Sequence, residues 1–338
     1  KDREEAKFNE RSHMRLVMKT VGRPLSSFKS TKEMVTAIRD AIIGHKLAFL
    51  AGLIHRDLSD GNVMIHDGDM FSGFLLDLDY AFDWMEALKL VGLPAEREAW
   101  TAWTQRMKIK ERTGTLFFMA AQVLRTFVAH DVRHDLESAV WLLLCMVLRH
   151  TLQVHVRTKK ELDRNQLYLE HFGATGELGS YEKKMSYITD SIAWRVKDNE
   201  PLTKLIVDLR VLLGMQNRPL EWGGPVPLTY ESVLPVFNQA LALSDWPEND
   251  AALPFTLHGG GKSSGSSLPQ AHHGKSSGSG SQSTKHPRPD EGESKNGDLA
   301  DEGEQLPAKR LKFEPSPLRN EVDANPSVEA SDNDDVFN

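Results

Sequence analysis

The spacing of apolar and polar positions separates a folded body from a polar tail. Met34, Val35, Ile38, Ile42 and Phe49 recur at roughly helical spacing behind Ser30-Thr31-Lys32-Glu33, which has the Ser-x-x-Glu order of a capping box. Gly52 ends the pattern, so a long helix is predicted between Ser30 and Gly52. Two short apolar runs follow, Val63-Met64-Ile65 and Phe74-Leu75-Leu76, separated by the turn signal His66-Asp67-Gly68-Asp69. They predict a β-hairpin. Residues 139–148 form the longest apolar run. Its ten residues fall well short of the roughly twenty that span a bilayer, so it reads as a buried helix. Residues 151–250 read as mostly helical, with amphipathic segments near 198–213 and 229–243. At the start, residues 1–15 are charged and loosely amphipathic, 15–19 read as a short strand, and 20–25 are rich in turn residues. The expected fold class is α+β, mainly α-helical, with short β-hairpins.

Composition adds a boundary. From Pro254 onward the chain turns to Gly, Ser, His, Lys, Glu and Asp, with GGGKSSGSS and GKSSGSGSQS as low-complexity runs. Such a segment cannot bury enough apolar surface to offset the entropy of ordering, so residues 1–255 are expected as one domain and 256–338 as a disordered C-terminal tail. The tail holds 9 Lys and Arg against 14 Asp and Glu, which accounts for −5 of the total charge of −7. The body is left nearly neutral, which gives no case for a nucleic-acid partner. The single cysteine, Cys145, lies inside the apolar run, so no intrachain disulfide is possible and a reducing compartment is expected. No signal peptide or membrane span is evident. In the tail, Lys309-Arg310-Leu311-Lys312 is similar to a short nuclear localisation signal that would engage an import factor. A phosphate on Ser316, which precedes Pro317, would offset that charge. The expected location is cytoplasmic or nuclear.

The chemistry is concentrated in residues 53–81. Asp57 and Asn62 lie five residues apart across a Gly-containing turn, ahead of the first hairpin strand. The second strand ends on Asp77, so the hairpin would carry that carboxylate back beside Asn62. A carboxylate plus an amide oxygen makes a hard-oxygen pocket suited to Mg2+, which takes one or two protein carboxylates and shares its remaining positions with waters and substrate phosphates.

HRDLSDGN at 55–62 resembles the catalytic loop of protein kinases, His-Arg-Asp-Leu-x-x-x-Asn. Together with LLDLDYA at 75–81, GTLFFMA at 114–120 and HDLESAVWLLL at 134–144, it is similar in spelling and order to the fungal-type protein kinase family. The resemblance implies a protein-kinase-like large lobe that uses ATP and Mg2+ and phosphorylates a protein substrate. It implies that Asp57 orients the acceptor hydroxyl and takes its proton, and that Asn62 and Asp77 hold metal. Arg56 would link the catalytic loop to the activation segment, and His55 would pack beneath the loop. Thr115 would touch Asp57, a feature associated with serine/threonine specificity. Asp135 would accept backbone N–H groups of the catalytic loop; a plain N-cap is the simpler reading of the same residue. Gln122 stands where the family carries a glutamate paired with an arginine, here expected to be Arg218. Lys19 and Val21 fall where the last small-lobe strand runs into the hinge beside the adenine.

There are departures from the ordinary kinase pattern. Asp77-Leu78-Asp79 replaces Asp-Phe-Gly, so the hydrophobic plug is expected to be aliphatic, and Asp79 reads either as an added metal ligand or as a turn residue. Ser59 occupies the position of the usual phosphate-steadying lysine. The segment 80–112 is longer than usual, contains Trp84, Trp100 and Trp103, and ends in the basic run 105–112, which reads as a solvated face or a phosphate-binding patch. About fifteen residues precede the 15–19 strand, Lys7 and Glu10 are too close together to act as the phosphate-holding pair, and there is no Gly-rich loop. The small lobe is therefore expected to be largely missing. Three functions follow: a fungal-type protein serine/threonine kinase, a small-molecule phosphotransferase of the aminoglycoside or choline kinase kind, and a non-catalytic interaction module. The first explains the most motifs, the docking segment at 114–122 and the helix after 134 argue against the second, and the third becomes the best reading if the chain is complete.

Overall fold

The computed structural model describes residues 21–68, 70–106, 113–126 and 128–257. The 15–19 strand, Lys19, the 107–112 part of the basic run, Asp69, the localisation-like motif and the tail from 258 onward lie outside the described residues. What is described is α+β, with helices predominant and every strand pair antiparallel.

β1 (Arg23–Pro24) leads into α1 (Thr31–Leu50), which is capped by Ser30 accepting from Glu33 N at 3.1 Å. The second half of the predicted capping box is displaced: Glu33 accepts from Lys29 N at 2.6 Å, one residue ahead of the cap, and also pairs with Arg23. α1 buries Met34, Ile38, Ala41, His45 and Phe49 on one face, and Gly52 leaves the helix at φ 99°. The short β2 (Leu53–Ile54) opens the catalytic-loop stretch. β3 (Val63–Ile65) and β4 (Gly73–Leu75) form the expected hairpin, with Val63 opposite Leu75 and Ile65 opposite Gly73. A Cβ at Gly73 would sit 2.0 Å from Ala37 O, so glycine lets the hairpin lie directly on α1. β1 adds to the other side of β3 as an edge strand, where Pro24 is tolerated.

The long segment after Asp77 is structured in a way its pattern did not announce. β5 (Phe82–Asp83) pairs with β2, then α2 (Trp84–Leu90) and α3 (Arg97–Arg106) follow. Trp84 and Trp100 are buried: Trp84 stacks on Phe49 at 5.1 Å and donates to Phe49 O, and Trp100 donates to Asp131 Oδ1 at 2.9 Å. These indoles anchor the segment to the core.

α4 (Ala121–Arg125) precedes α5 (Val132–His150), which is buried along almost its whole length and packs on α1. Cys145 lies in it, its thiol pushed up to about 12 by burial, a small core side chain with little thiolate character. The region expected to be mostly helical also holds a two-stranded pair, β6 (Gln153–His155) with β7 (Trp194–Val196). α6 (Arg164–Phe172) and α7 (Gly176–Thr189) lie between those strands, and α8 (Glu200–Gln216) and α9 (Tyr230–Leu241) close the body, with α5 also packed on α6 and α8. Asp250 ties the chain back to the start of α1 through Thr31, and Leu253 N donates to His150 O. Among the described residues no helix is long and apolar enough to cross a membrane.

Candidate active site

The catalytic-loop stretch hangs from one buried carboxylate. Asp135, in the first turn of α5, accepts His55 N at 3.1 Å through Oδ2 and Arg56 N at 3.1 and 3.2 Å through its two oxygens. The helix is capped by Asp131, four residues earlier, so the N-cap reading of Asp135 is superseded. His45 Nε2 lies 2.8 Å from Asp135 Oδ2 and His130 Nε2 lies 2.9 Å from Oδ1; Tyr230 completes the chain at 2.7 Å from His45 Nδ1. Burial alone would raise this carboxyl, but His130 and His45 hold it well below the usual range. This anchoring secures a strained backbone: Arg56 has φ 69°, a left-handed conformation that costs on the order of 1–3 kcal/mol in a residue with a side chain.

Asp57 follows. Its Oδ1 accepts both Thr115 N and Thr115 Oγ1 at 2.9 Å, and Asn62 Nδ2 donates to Asp57 O at 2.8 Å with a longer approach of 3.4 Å to Oδ2. Oδ2 is therefore the oxygen with capacity left. Gly114 makes the close approach possible, because at φ 110° a Cβ there would sit 2.8 Å from Arg56 O. Asp77 is placed through Leu76, whose N donates to Asn62 O at 2.8 Å and whose carbonyl is 2.9 Å from His55 Nε2. With that ring proton on Leu76, His55 Nδ1 accepts from Asp57 N at 3.3 Å. His55 thus joins the base of the loop to the residue before Asp77.

Asp77 has φ 60° and is exposed, and its Oδ1 accepts from Asp79 N at 3.1 Å. Asp79 is also exposed, its backbone N held in that turn. The aliphatic plug is not formed: Leu78 is 53 % exposed. Ala81 N bonds back to Leu78 O and turns the chain, so that Phe82 instead packs on the core, with the Arg56 guanidinium 5.9 Å above its ring. Arg56 meets the following segment there. Ser59 is 5 % exposed and turns the loop, its carbonyl accepting from Asn62 N and Val63 N. Val21 is exposed at the first described position.

The expected Gln122–Arg218 pair is replaced by other partners. Gln122 Oε1 lies 3.1 Å from His134 Nε2, a ring that burial keeps well below its ordinary pKa, while Arg218 donates to Gly224 O at 2.8 Å. Restoring the acid would therefore meet a neutral imidazole and not a guanidinium. Gln122→Glu is expected to melt no higher than the unmodified chain in calorimetry, whereas a gain of several degrees would show that Arg218 reaches it.

The donor set suits a divalent metal. Asn62 commits its amide nitrogen to Asp57, which leaves its amide oxygen for another partner, and Asp77 offers an exposed carboxylate. One amide oxygen and one carboxylate are hard donors in the number Mg2+ takes from protein. Among the described residues no group of three or more His, Cys, Asp or Glu is arranged to hold a metal. A cavity of about 270 Å3 between α6, α7 and β7, lined by His155, Asp163, His171, Tyr187 and Trp194 among others, contains none of the residues singled out from the sequence.

Sequence reasoning passed over His45, His130, Tyr230 and Lys184. Only His45 had a local signal, a polar residue on the buried stripe of α1.

Residues 1–147 match the family model described as fungal protein kinase. This segment is similar to that family, as the motifs from HRDLSDGN to HDLES suggested, and the match runs through Asp57, Asn62, Asp77, Thr115 and Asp135 before ending inside α5. No curated protein matches the chain.

Proposed function

We propose that this chain is a protein kinase of the fungal type, transferring the γ-phosphoryl group of ATP to Ser or Thr hydroxyls of proteins. The family match supports kinase chemistry in general. The observation that carries the finer reading is the double contact of Thr115 with Asp57 Oδ1, which leaves Oδ2 available. An acceptor hydroxyl donating to that oxygen would lose its proton to it as its own oxygen bonds to phosphorus and the bond from phosphorus to ADP breaks. A bound Mg2+, held by Asn62 Oδ1 and Asp77, would neutralise charge on the phosphates. Asn62 orients Asp57 through the backbone and side-chain contacts of one amide, and His55 with Leu76 keeps Asp77 at the same end of the hairpin. Catalysis of this kind is positioning and electrostatics, with no covalent intermediate on the enzyme.

The test is a calorimetric titration of Mg-ATP into the chain and into Asp77→Ala, followed by phosphorylation of peptides that differ only in Ser, Thr or Tyr at the acceptor. Binding that weakens at least tenfold in Asp77→Ala, with transfer to Ser and Thr peptides, is the expected outcome. Equal binding by both proteins would remove Asp77 from the metal site, and a titration without heat for the unmodified chain would remove the kinase reading.

A further inference from the structure

The turn that brings Thr115 to Asp57 is tied at two further points by buried ionisable side chains from two different helices. Phe118 N and Met119 N both bond to Thr115 O, so residues 115–119 form one tight turn that runs straight into α4. Lys184 of α7, 4 % exposed, donates from Nζ to Phe117 O at 2.7 Å. Glu137 of α5, fully buried, accepts from Ala121 N at 2.7 Å, the first residue of α4. The residue before it, Ala120, has no side chain able to cap the helix, so Glu137 supplies the missing acceptor from a neighbouring helix.

Both groups are satisfied on their remaining sides. Glu137 also accepts from Trp141 Nε1 at 2.9 Å and from Gln216 Nε2 at 2.5 Å, and Gln216 in turn accepts from Leu228 N at 3.0 Å. The Lys184 ammonium lies 4.0 Å over the Trp141 ring. Trp141 is therefore common to the two anchors. Burial pushes Lys184 down to about 7 and Glu137 upward, and the charge of each opposes the shift of the other. Burying two such groups costs several kcal/mol and is often no better for stability than an apolar pair. What they provide that an apolar pair would not is a defined position for two backbone groups of the turn.

We propose that Glu137 and Lys184 are positioning residues for this site: by gripping Ala121 N and Phe117 O they set the turn so that Thr115 meets Asp57. The grip follows from the structure alone. Its consequence for acceptor peptides rests on the kinase reading above.

The experiment is amide hydrogen exchange on the full chain, comparing the unmodified protein with Lys184→Met and with the charge-neutral double variant Glu137→Met/Lys184→Met, which removes both grips, using the amides of α1 as an internal reference. Exchange in 114–121 is expected to speed up about tenfold in both variants while α1 is unchanged, because local opening replaces a held turn. The double variant buries no unpaired charge, so it serves even where Lys184→Met does not fold. Unaltered protection of 114–121 in the folded double variant would overturn the proposal, as would loss of protection spread equally over α1. If Mg-ATP binds, both variants should keep its affinity and raise the peptide KM more than they lower kcat. An absence of Mg-ATP binding removes that kinetic arm only, and the exchange result still decides the grip.

Discussion

Asp57→Asn is expected to lower phosphoryl transfer about 10²–10⁴-fold, the range typical of a lost general base, while leaving Mg-ATP affinity within about twofold, since the proposed metal ligands are untouched. The substitution is close to isosteric. An asparagine carbonyl at this position still accepts Thr115 N and Thr115 Oγ1, so the docking turn stays where it is. What disappears is the basic oxygen, because Oδ2 becomes an amide nitrogen that cannot take a proton. Single-turnover kinetics with saturating Mg-ATP separates this chemical step from binding. A variant that transfers at the original rate would show that Asp57 only orients the acceptor.

Asp135→Ala is expected to lower unfolding free energy by about 3–5 kcal/mol, the magnitude for removing one partner of a buried charged network. His55 N and Arg56 N would lose their acceptor in a buried place, and His45 and His130 would face each other without the carboxylate between them. Arg56 would lose the carboxylate that holds its left-handed backbone N–H, so loosening should centre on the catalytic loop. Denaturant midpoints measure the stability loss, and a change below about 1 kcal/mol would show that the loop is held elsewhere. The pH dependence has a definite sign. Asp135 is held below its ordinary value of 3.8, so its contribution is fully present above that pH and is lost as the pH falls below it toward the folded value. The variant should therefore converge with the unmodified protein in strong acid.

Much of the site was legible because its chemistry lies in one continuous stretch. Asp57, Asn62 and Asp77 are separated by a turn and a short hairpin, and the apolar runs at 63–65 and 74–76 were enough to bring Asp77 back toward Asn62. The long helices were equally plain, since a helix advertises itself through residues three and four apart. Leu78 was misread because the aliphatic residue after Asp77 matched the kinase pattern in type but not in direction. The Ala81–Leu78 turn sends it outward, and the partly buried Phe82 packs on the core instead. Gln122 was misassigned for a related reason: a motif position implies a partner only if the surrounding helices keep the same spacing, and here His134 arrives first.

The local order of apolar and polar residues was sufficient for α1, α5, the β3–β4 hairpin and the three acceptor and donor side chains between them, because each depends on neighbours a few positions away. The anchors came from the packed fold. His45 and Asp135 are 90 residues apart, His45 and Tyr230 are 185 apart, and Lys184 reaches a carbonyl 67 residues earlier. Periodicity says which side of a helix is buried and leaves open which buried polar group will meet which. That choice is made when α1, α5, α7 and α9 pack and every buried donor must find an acceptor within hydrogen-bond reach.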